Sequence, residues 1–343
     1  MSIQQRKKDH VELTAGGDMS YRKNTGFDQF EFVHNALPET NYDEADLQAK
    51  LMGRTFGYPL FISSMTGGYT KAGAVNGILA EFCEKHDLPL GVGSQRVMLE
   101  DPEATESFSI VRKKAPNALI ASNIGGAQLI GGLSKDALKL LVDSIEADAV
   151  IVHLNPLQEL MQPEGDRNFK GIEEGIQKLV KDSPVPVIVK ETGAGISGEV
   201  GTRLIQAGVS VIDTAGAGGT SWARVENNRA SNTDPQRIFD DWGIPTVQCI
   251  GELASLKNDH ELEIIASGGV RSGLDVIKAL CLGADFAASA QPVIKAVIDN
   301  GRAGLEDLLA NWKRQLAIAL TLLGCRELSE LGPNHLQRRE GPA

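Results

Sequence analysis

The sequence contains few cysteines, and none of them is placed for a metal site or a disulfide framework. Cys83, Cys249, Cys281 and Cys325 lie far apart, with no CxxC pair and no histidine at metal-ligand spacing. Structural zinc sites and disulfide-rich folds both depend on such spacing. We therefore expect four reduced thiols that behave as small, buried hydrophobic groups.

Long apolar runs and positive charge are also scarce. No apolar run approaches the ~20 residues needed to cross a bilayer, and residues 1–13 are polar and basic rather than an apolar signal segment. The formal net charge is -11 at pH 7, so nucleic acid and anionic membranes would be repelled. These features predict a cytoplasmic protein that binds a small molecule, with no nucleic acid and no membrane as partner.

A repeated pattern occupies the middle of the chain, in which short apolar runs ending in small polar residues alternate with helical stretches. The eight runs are Leu60–Met65, Leu88–Ser94, Ala118–Asn123, Ala149–Asn155, Val185–Glu191, Val209–Thr214, Glu263–Gly268 and Asp285–Ala290. Such runs are typical of parallel strands buried on both faces. They predict an α/β fold, either a single (β/α)8 TIM barrel or a doubly wound sheet. The barrel is favoured because polar residues end nearly every strand, whereas an open sheet gathers them at one switch point.

The remaining segments set the domain boundaries. Residues 1–57 form an N-terminal extension, residues 58–330 the barrel, and residues 331–343 a polar tail that we expect to be frayed. The run Pro245–Ile250 competes as an extra strand, but its proline and the helical spacing that follows favour the start of a helix. Leu305–Leu323 is predicted to be an amphipathic helix that closes the barrel.

Glycine-rich loops follow the last strands and predict a phosphate site. Consecutive glycines let backbone N–H groups approach a phosphate, and the loops after the last two strands are the usual phosphate site of this barrel. A second such loop, residues 216–221, follows the sixth strand and is a plausible second wall. Tight turns without a ligand are the alternative. The candidates are Ser267, Gly268, Gly269, Arg271 and Ala290.

Lys190 lies at the end of an apolar strand, where a lysine is costly unless it is paired or used. In a flavin site it could stabilise negative charge on a reduced ring. An ion pair with Glu191 or Asp213 is the structural alternative.

Nine motifs together resemble one family. They are RKKDH (6–10), HNALPE (34–39), SSMTGG (63–68), GVGSQR (91–96), SNIGG (122–126), HLNPLQE (153–159), VKETG (189–193), DTAGAGGTSW (213–222) and SGGVRSG (267–273). The set closely resembles the type 2, FMN-dependent isopentenyl-diphosphate isomerases from residue 6 to about residue 330. SGGVRSG is shared with many FMN barrels, whereas HLNPLQE together with MTGG and GSQR is specific.

The resemblance implies an activity. Such enzymes interconvert isopentenyl and dimethylallyl diphosphate by adding and removing a proton, with reduced FMN and Mg²⁺ and without net redox change. NADPH is the implied flavin reductant, and a homo-oligomer, tetramer or octamer, is the implied assembly.

The resemblance also implies roles for individual residues, and for several of them a simpler structural role is the alternative. His153 could be a hydrogen-bonded polar residue at the barrel mouth, the pair Arg6-Lys7 could miss the ligand, His10 could be ordinary surface, and Glu159 could only favour a helix N-terminus. The implied flavin contacts are Met65, Thr66, Gly67, Ser94, Asn123, Lys190 and Thr220, with the Gly268–Arg271 loop on the FMN phosphate. The implied substrate contacts are Arg6, Lys7, Ser94, Gln95, Arg96, His153, Asn155 and Gln158, with Gln158 beside the isoprene carbons and Glu159 as the Mg²⁺ ligand.

Three other functions compete. An FMN-dependent α-hydroxy-acid oxidase or dehydrogenase needs a histidine base near the sixth and seventh strands, but the histidines are at 10, 34, 86, 153, 260 and 335. A nucleotide dehydrogenase or reductase needs a nucleophilic cysteine after the sixth strand, and the nearest, Cys249, falls in the predicted helix. A barrel that binds flavin without catalysis has no need of the cluster Arg96, His153, Gln158 and Glu159.

Overall fold

Eight parallel strands close into a barrel, as the sequence predicts. The computed structural model describes residues 9–10, 13–14, 17–68, 70–230 and 235–339. Within these residues each barrel strand pairs in parallel with the next along the chain, and the last strand pairs with the first. The strands are Leu60–Ile62 (β1), Leu90–Gly91 (β2), Ile120–Gly125 (β3), Ala149–Leu154 (β4), Val187–Glu191 (β5), Val211–Asp213 (β6), Glu263–Ala266 (β7) and Phe286–Ser289 (β8).

Most strands end earlier than the apolar runs predict. The last residues of several runs, such as Met65, Ser94 and Gly268, lie beyond the hydrogen-bonded ladder. Their backbone has turned away from the sheet, so their side chains and amides face the barrel mouth instead of the helices. The residues that follow the strands therefore form the rim of the barrel mouth.

Helices surround the barrel and follow the predicted pattern. The helix expected from Pro245 is confirmed and begins at Thr246, and the closing helix begins earlier than predicted and is kinked at Asn300 and Gly301. The helices are Thr70–His86 (α1), Arg96–Glu100 (α2), Glu106–Lys114 (α3), Lys135–Asp143 (α4), Pro156–Met161 (α5), Ile172–Asp182 (α6), Gly198–Gln206 (α7), Trp222–Arg229 (α8), Thr246–Leu256 (α9), Gly273–Cys281 (α10) and Gln291–Leu322 (α11).

A short hairpin from the N-terminal extension seals the end of the barrel opposite the mouth. Strands Ala49–Leu51 and Arg54–Phe56 pair antiparallel around a two-residue turn. Its inward-facing Leu51 and Phe56 are fully buried and pack with the side chains of the barrel interior. The Met52 N–H donates to both carboxylate oxygens of Glu263, at 3.0 and 2.9 Å, at the start of β7. This plug leaves the carboxyl-end mouth as the accessible end of the barrel.

The two ends of the described chain are paired with each other. Phe30–Phe32 and Leu336–Arg338 form an antiparallel two-stranded sheet, and the Arg339 N–H donates to Gln29 O at 2.8 Å. The prediction of a frayed tail is therefore wrong for residues 336–339. Backbone pairing with the N-terminal extension, which periodicity within the tail could not reveal, holds this part in place.

Residues 17–27, here called the strap, lie across the loop that follows β6. The Tyr21 N–H donates to Gly219 O at 2.9 Å, and Met19 O accepts from the Ser221 N–H at 2.8 Å. Farther along, Thr25 O accepts from the Val247 N–H at 3.0 Å at the start of α9. The strap thus ties the N-terminal extension to one wall of the barrel mouth.

The cysteine prediction is confirmed, because all four thiols are buried and none forms a disulfide. Burial raises the pKa of Cys249 to about 12, which keeps it protonated inside α9. In the part of the chain that the structure describes, no helix combines the length and apolarity needed to span a bilayer.

Candidate active site

One cavity occupies the carboxyl ends of the barrel strands. Every one of the eight strands contributes lining residues from its end or from the loop that follows it. His10, Thr14 and Ser20 of the N-terminal extension complete the lining. A cavity in this position is where active sites of (β/α)8 enzymes are built.

The loops after β6 and β7 press together without side chains between them. A Cβ on Gly268 would lie 2.1 Å from Gly216 O, and one on Gly219 would lie 2.5 Å from Gly269 N. Gly268 also has a φ of +100°, in the region that favours glycine. Glycines of both loops also line the cavity, so at these positions no side chain separates the backbone from it, as an anion-binding cradle requires.

The Arg271 side chain links the two loops of this cradle. Its Nη1 donates to Gly218 O at 3.0 Å and to Gly269 O at 3.3 Å, so one guanidinium joins the two loops. Arg271 and Ala290 both line the cavity. The predicted phosphate candidates are thus brought together on one side of the mouth.

The loop after β1 carries two buried hydroxyl groups that have no hydrogen-bond partner among the described residues. The Oγ atom of Ser64 and the Oγ1 atom of Thr66 are buried in the cavity lining and have no hydrogen-bond partner among the described residues. Buried unsatisfied polar groups are rare and costly, so these two hydroxyls suit a ligand or ordered water that hydrogen-bonds to them. The predicted flavin contacts that line the cavity are Met65, Thr66, Gly67, Ser94, Asn123, Lys190 and Thr220.

Lys190 lies near one of its predicted acidic partners and also faces the cavity. It is 8% exposed, and its Nζ donates to Glu191 O at 2.6 Å and lies 3.7 Å from Asp213 Oδ2. It also lines the cavity. A buried lysine with one distant carboxylate keeps donor capacity for a ligand that carries negative charge.

Glu191 points away from Lys190 and organises the next loop. Its Oε2 accepts hydrogen bonds from the consecutive N–H groups of residues 192–195, at 2.6 Å from Thr192 and 2.5 Å from Gly193. Burial raises the pKa of Glu191 to about 6, against the opposing effect of these N–H groups. The ring of donors fixes Thr192 and Gly193 where they line the cavity.

His153 and Asn123 form a polar pair on neighbouring strands. His153 Nδ1 lies 2.7 Å from Asn123 Oδ1, and both residues line the cavity. Because the amide oxygen accepts, Nδ1 carries the proton in this contact. His153 therefore has a fixed ring orientation at the cavity wall.

Gln95 does not lie in the cavity, contrary to the prediction of a substrate contact. Its side chain is fully buried, with Nε2 donating to Leu141 O at 3.3 Å and Oε1 accepting from the Asn123 N–H at 3.0 Å. The turn after β2 directs Ser94 and Arg96 into the cavity and Gln95 into the wall. Gln95 thus supports Asn123 from behind.

Asn155, Gln158 and Glu159 form a hydrogen-bonded cluster at the start of α5. Asn155 Nδ2 donates to Gln158 Oε1 at 3.2 Å and to Glu159 Oε1 at 3.0 Å. All three residues line the cavity. Glu159 sits in the first turn of α5 as well, so its predicted structural effect on the helix dipole and its cavity position coexist.

Glu226 is a buried carboxylate that sequence reasoning missed. It is fully buried in α8, where Gln158 Nε2 donates to Oε1 at 3.1 Å and Arg229 Nε donates to Oε2 at 2.7 Å. Gln162 also donates to Oε1, and His10 Nε2 lies 2.8 Å from the same oxygen. Burial alone would raise the pKa of Glu226, but the hydrogen bonds from its neighbours outweigh burial and lower it.

Arg96 reaches the cavity from the start of α2. Its Nη1 lies 3.2 Å from Asp166 Oδ2, and its Nε lies 3.4 Å from Glu100 Oε1. Gln128, a lining residue that the sequence did not indicate, donates to the same Asp166 oxygen at 3.4 Å. Arg6 and Lys7, the other predicted cationic contacts, lie outside the described residues.

The acidic groups of the cavity do not form a metal cage. Among the residues that the structure describes, no cluster of three or more His, Cys, Asp or Glu side chains is placed to hold a metal ion. Glu159 is the predicted ligand, and its two oxygens accept from Asn155 Nδ2 and the Asp166 N–H. A carboxylate that shares a site with phosphate oxygens and water suits Mg²⁺, which keeps most of its waters in proteins.

Solved structures of similar fold are flavin enzymes. The flavin-binding domain of baker's yeast flavocytochrome b2 superposes with a TM-score of 0.70 at 19% identity, covering 99% of this chain and 85% of that one. A mandelate oxidase mutant with a monooxide FMN adduct superposes with a TM-score of 0.65 at 17% identity, covering 96% of this chain and 95% of that one. At these identities the likeness establishes the barrel fold alone.

Sequence comparisons establish the family. The profile of the FMN-dependent dehydrogenases matches residues 117–338. The isopentenyl-diphosphate delta-isomerase of Chlorobium limicola is 44% identical over 351 residues, which cover 98% of this chain and 97% of the relative. The enzyme of the same name from Nostoc sp. is 43% identical, covering 96% of this chain and 94% of the relative. Together with the cavity described above, these matches show that the chain is an FMN-binding barrel that belongs to the isopentenyl-diphosphate delta-isomerases.

Proposed function

We propose that this protein interconverts isopentenyl diphosphate and dimethylallyl diphosphate by protonation at one carbon and deprotonation at another, with no net redox change. One observation carries the proposal. The cavity presents the glycine cradle of the β6 and β7 loops on one side and the cluster of Arg96, His153, Gln158 and Glu159 on the other. A binding site for flavin alone has no need of the second group.

The chain's residues fit FMN on the cradle side. The backbone amides of the two glycine-rich loops and Arg271 suit its phosphate, and the unpartnered hydroxyls of Ser64 and Thr66 suit the polar edge of a flavin ring. When bound in its reduced form, FMN supplies an electron-rich proton donor and acceptor beside the substrate. Lys190, buried at the end of β5, would balance negative charge on the reduced ring.

The substrate side supplies charge for a diphosphate. Arg96 presents a guanidinium and Ser94 a hydroxyl at the cavity wall, and both groups hydrogen-bond phosphate oxygens well. Glu159 would hold Mg²⁺ together with those oxygens, because this ion needs only a carboxylate or two from the protein. The predicted contacts from Arg6 and Lys7 would add two further positive charges.

Gln158 is the residue we assign to the reacting carbons. Its amide is fixed at both ends, with Nε2 donating to Glu226 and Oε1 accepting from Asn155. An amide held in this way cannot rotate freely, so it can orient the alkene against the flavin side of the cavity. His153 and Asn155 line the wall beside it and would help to exclude water from the reacting carbons.

Oxidation of an α-hydroxy acid is the alternative function, and the cavity gives it no support. That chemistry requires a histidine base close to the sixth and seventh strands. The histidines that line the cavity in the described part of the chain are His10, from the extension, and His153, from β4. We further propose that the protein is cytoplasmic, acts as a homo-oligomer, and receives its electrons from NADPH.

The decisive experiment follows product and reductant together. Purified protein loaded with FMN and reduced once with NADPH is given isopentenyl diphosphate and Mg²⁺ in the absence of oxygen. We expect many turnovers of dimethylallyl diphosphate for each NADPH consumed. Glu159→Gln is expected to retain the flavin and lose the Mg²⁺-dependent activity. One NADPH consumed for each product molecule, or full activity in the Glu159 variant, would contradict the proposal.

A further inference from the structure

Asp166 lies behind one wall of the cavity and hydrogen-bonds to three residues that line it, Arg96, Gln128 and Glu159. It lies in the loop between α5 and α6 and is not among the residues that line the cavity. Its Oδ2 accepts from Arg96 Nη1 at 3.2 Å and from Gln128 Nε2 at 3.4 Å. Its backbone N–H donates to Glu159 Oε2 at 2.8 Å. One residue therefore connects side chains delivered by β2, β3 and β4.

The approach of this loop to α5 depends on the residue before Asp166. A Cβ on Gly165 would lie 1.9 Å from Glu159 O, closer than any real side-chain carbon can come to a backbone oxygen. Only glycine can therefore bring the chain close enough for the Asp166 N–H to reach the Glu159 carboxylate. The contact is specified by the local sequence rather than by a flexible side chain that happens to lie nearby.

The charges around Arg96 allow a diphosphate to replace Asp166 as its partner. Arg96 carries one positive charge and has two carboxylates within 4 Å, Asp166 at 3.2 Å and Glu100 at 3.4 Å. Its side chain is 36% exposed and that of Asp166 is 39% exposed, so this ion pair is weak and readily broken. A diphosphate carries more negative charge than a carboxylate and can bind a guanidinium through two oxygens, whereas Asp166 meets Arg96 through Oδ2 alone.

We propose that Asp166 is a positioning residue that pairs with Arg96 while the site lacks an anion and gives up that pair when a diphosphate binds. This inference rests on the proposed function, because it requires the wall that contains Arg96 to be the diphosphate site. Every anion that needs Arg96 must first break this pair, so the pair weakens the binding of each such anion by the same factor. An anion with further contacts in the cavity, such as a diphosphate, still binds despite that cost.

The test measures anion binding rather than turnover. Inorganic pyrophosphate is titrated into the FMN-loaded full-length protein by calorimetry, without divalent cations, in wild type and in Asp166→Asn. The asparagine keeps the size of the side chain and the backbone N–H bond to Glu159, and it removes the competing charge. We expect pyrophosphate to bind about threefold to fivefold more tightly to the variant, and the affinity for acetate to rise by a similar factor.

Two controls distinguish direct pairing of Asp166 with Arg96 from the general effect of removing a negative charge near the site. Glu100→Gln removes the other carboxylate on Arg96, which is 53% exposed, and is expected to change the pyrophosphate Kd by twofold or less. In an Arg96→Ala background, Asp166→Asn should no longer affect the Kd, whereas a long-range charge effect would persist.

The outcomes distinguish this inference from the proposed function. Unchanged or weaker pyrophosphate binding in Asp166→Asn overturns the role of Asp166 alone, provided that wild type binds and that Arg96→Ala weakens binding. If wild type fails to bind pyrophosphate, or if Arg96→Ala binds it as well as wild type does, the diphosphate site itself is misplaced and both proposals fall.

Discussion

Glu191 and Glu226 are both buried carboxylates, yet their surroundings shift their pKa values in opposite directions. Burial dominates at Glu191 and raises its pKa to about 6, whereas hydrogen bonds from charged and amide neighbours dominate at Glu226 and lower its pKa. A raised pKa means that the folded state holds the proton more tightly than the unfolded state does. Glu191 therefore contributes stability below about pH 4.5 that is lost as the pH rises through about 6.

This difference predicts how a single amide substitution depends on pH. The free energy of unfolding of Glu191→Gln, measured with denaturant on FMN-free protein, should rise relative to wild type by ~2 kcal/mol between pH 4 and pH 8. Glu226→Gln is the matched control with the opposite sign, because the wild-type carboxylate stabilises above about pH 4.5 and loses that effect in acid. Parallel pH dependences for the two variants would contradict the contrast.

Individual side chains show where sequence reasoning ends. The motif GSQR predicted ligand contacts for Ser94, Gln95 and Arg96, of which Ser94 and Arg96 line the cavity. The direction of each side chain depends on the turn after β2, which sends Gln95 into the protein interior. The sequence could not predict the position of Glu226 beside the cavity lining, because its partner Gln158 is 68 residues away along the chain. Contacts of this kind exist only once α5 and α8 pack together.

At the level of elements, strands and loops were predictable to different degrees. The eight barrel strands could be predicted because burial on both faces demands continuous apolar runs, and α9 because Pro245 precedes a helical spacing. The hairpin of residues 49–56 escaped detection, since its strands are three residues long and alternate too briefly to show a period. Its two-residue turn at Met52 and Gly53, with φ of 49° and 74°, was the one available signal.

The contact between the β6 and β7 loops predicts a strong effect of one methyl group. Gly268→Ala places a Cβ 2.1 Å from Gly216 O at a φ of +100°, so the loops must separate and the amide cradle must widen. We expect FMN affinity to fall at least tenfold and the free energy of unfolding to fall by about 1–3 kcal/mol. Both quantities are measurable by flavin fluorescence and denaturant titration.

Gly251 provides the matched glycine control for this prediction. It lies in α9, and a Cβ there would meet nothing within 4 Å. Gly251→Ala should keep FMN affinity and gain up to ~1 kcal/mol of stability, as expected for alanine in an exposed helical position. Equal loss of FMN affinity in both variants would argue against a cradle formed by the two loops.

At the level of the whole molecule, the paired ends connect the tail to the cofactor side of the mouth. Leu336–Arg338 pairs with Phe30–Phe32, and the strap that precedes this strand hydrogen-bonds to Gly219. The sequence could not predict that these two segments pair, because each strand is only three residues long and shows no period. The sequence predicted a frayed tail, whereas residues 336–338 pair with residues 30–32.

This connection predicts a distant effect of truncation. A chain that ends at Gly332 loses the strand pair and the bond from the Arg339 N–H to Gln29 O, so the segment that follows the strap is no longer anchored and the strap keeps only its own contacts with the barrel. We expect FMN to bind several-fold more weakly and unfolding to cost about 1–3 kcal/mol less. A chain that ends at Arg339 keeps both contacts and should match wild type. Loss of stability with an unchanged FMN Kd would show that the strap does not transmit the effect.

The pairing of β8 with β1 also governs when the site can exist during synthesis. The chain leaves the ribosome from its N-terminus, and β1 must wait for residues 286–289 before the barrel can close. The Phe30–Phe32 strand waits longer still, for residues 336–338. Nascent chains therefore expose incomplete sheet edges for most of translation, and the flavin can be captured only by a chain that is nearly finished.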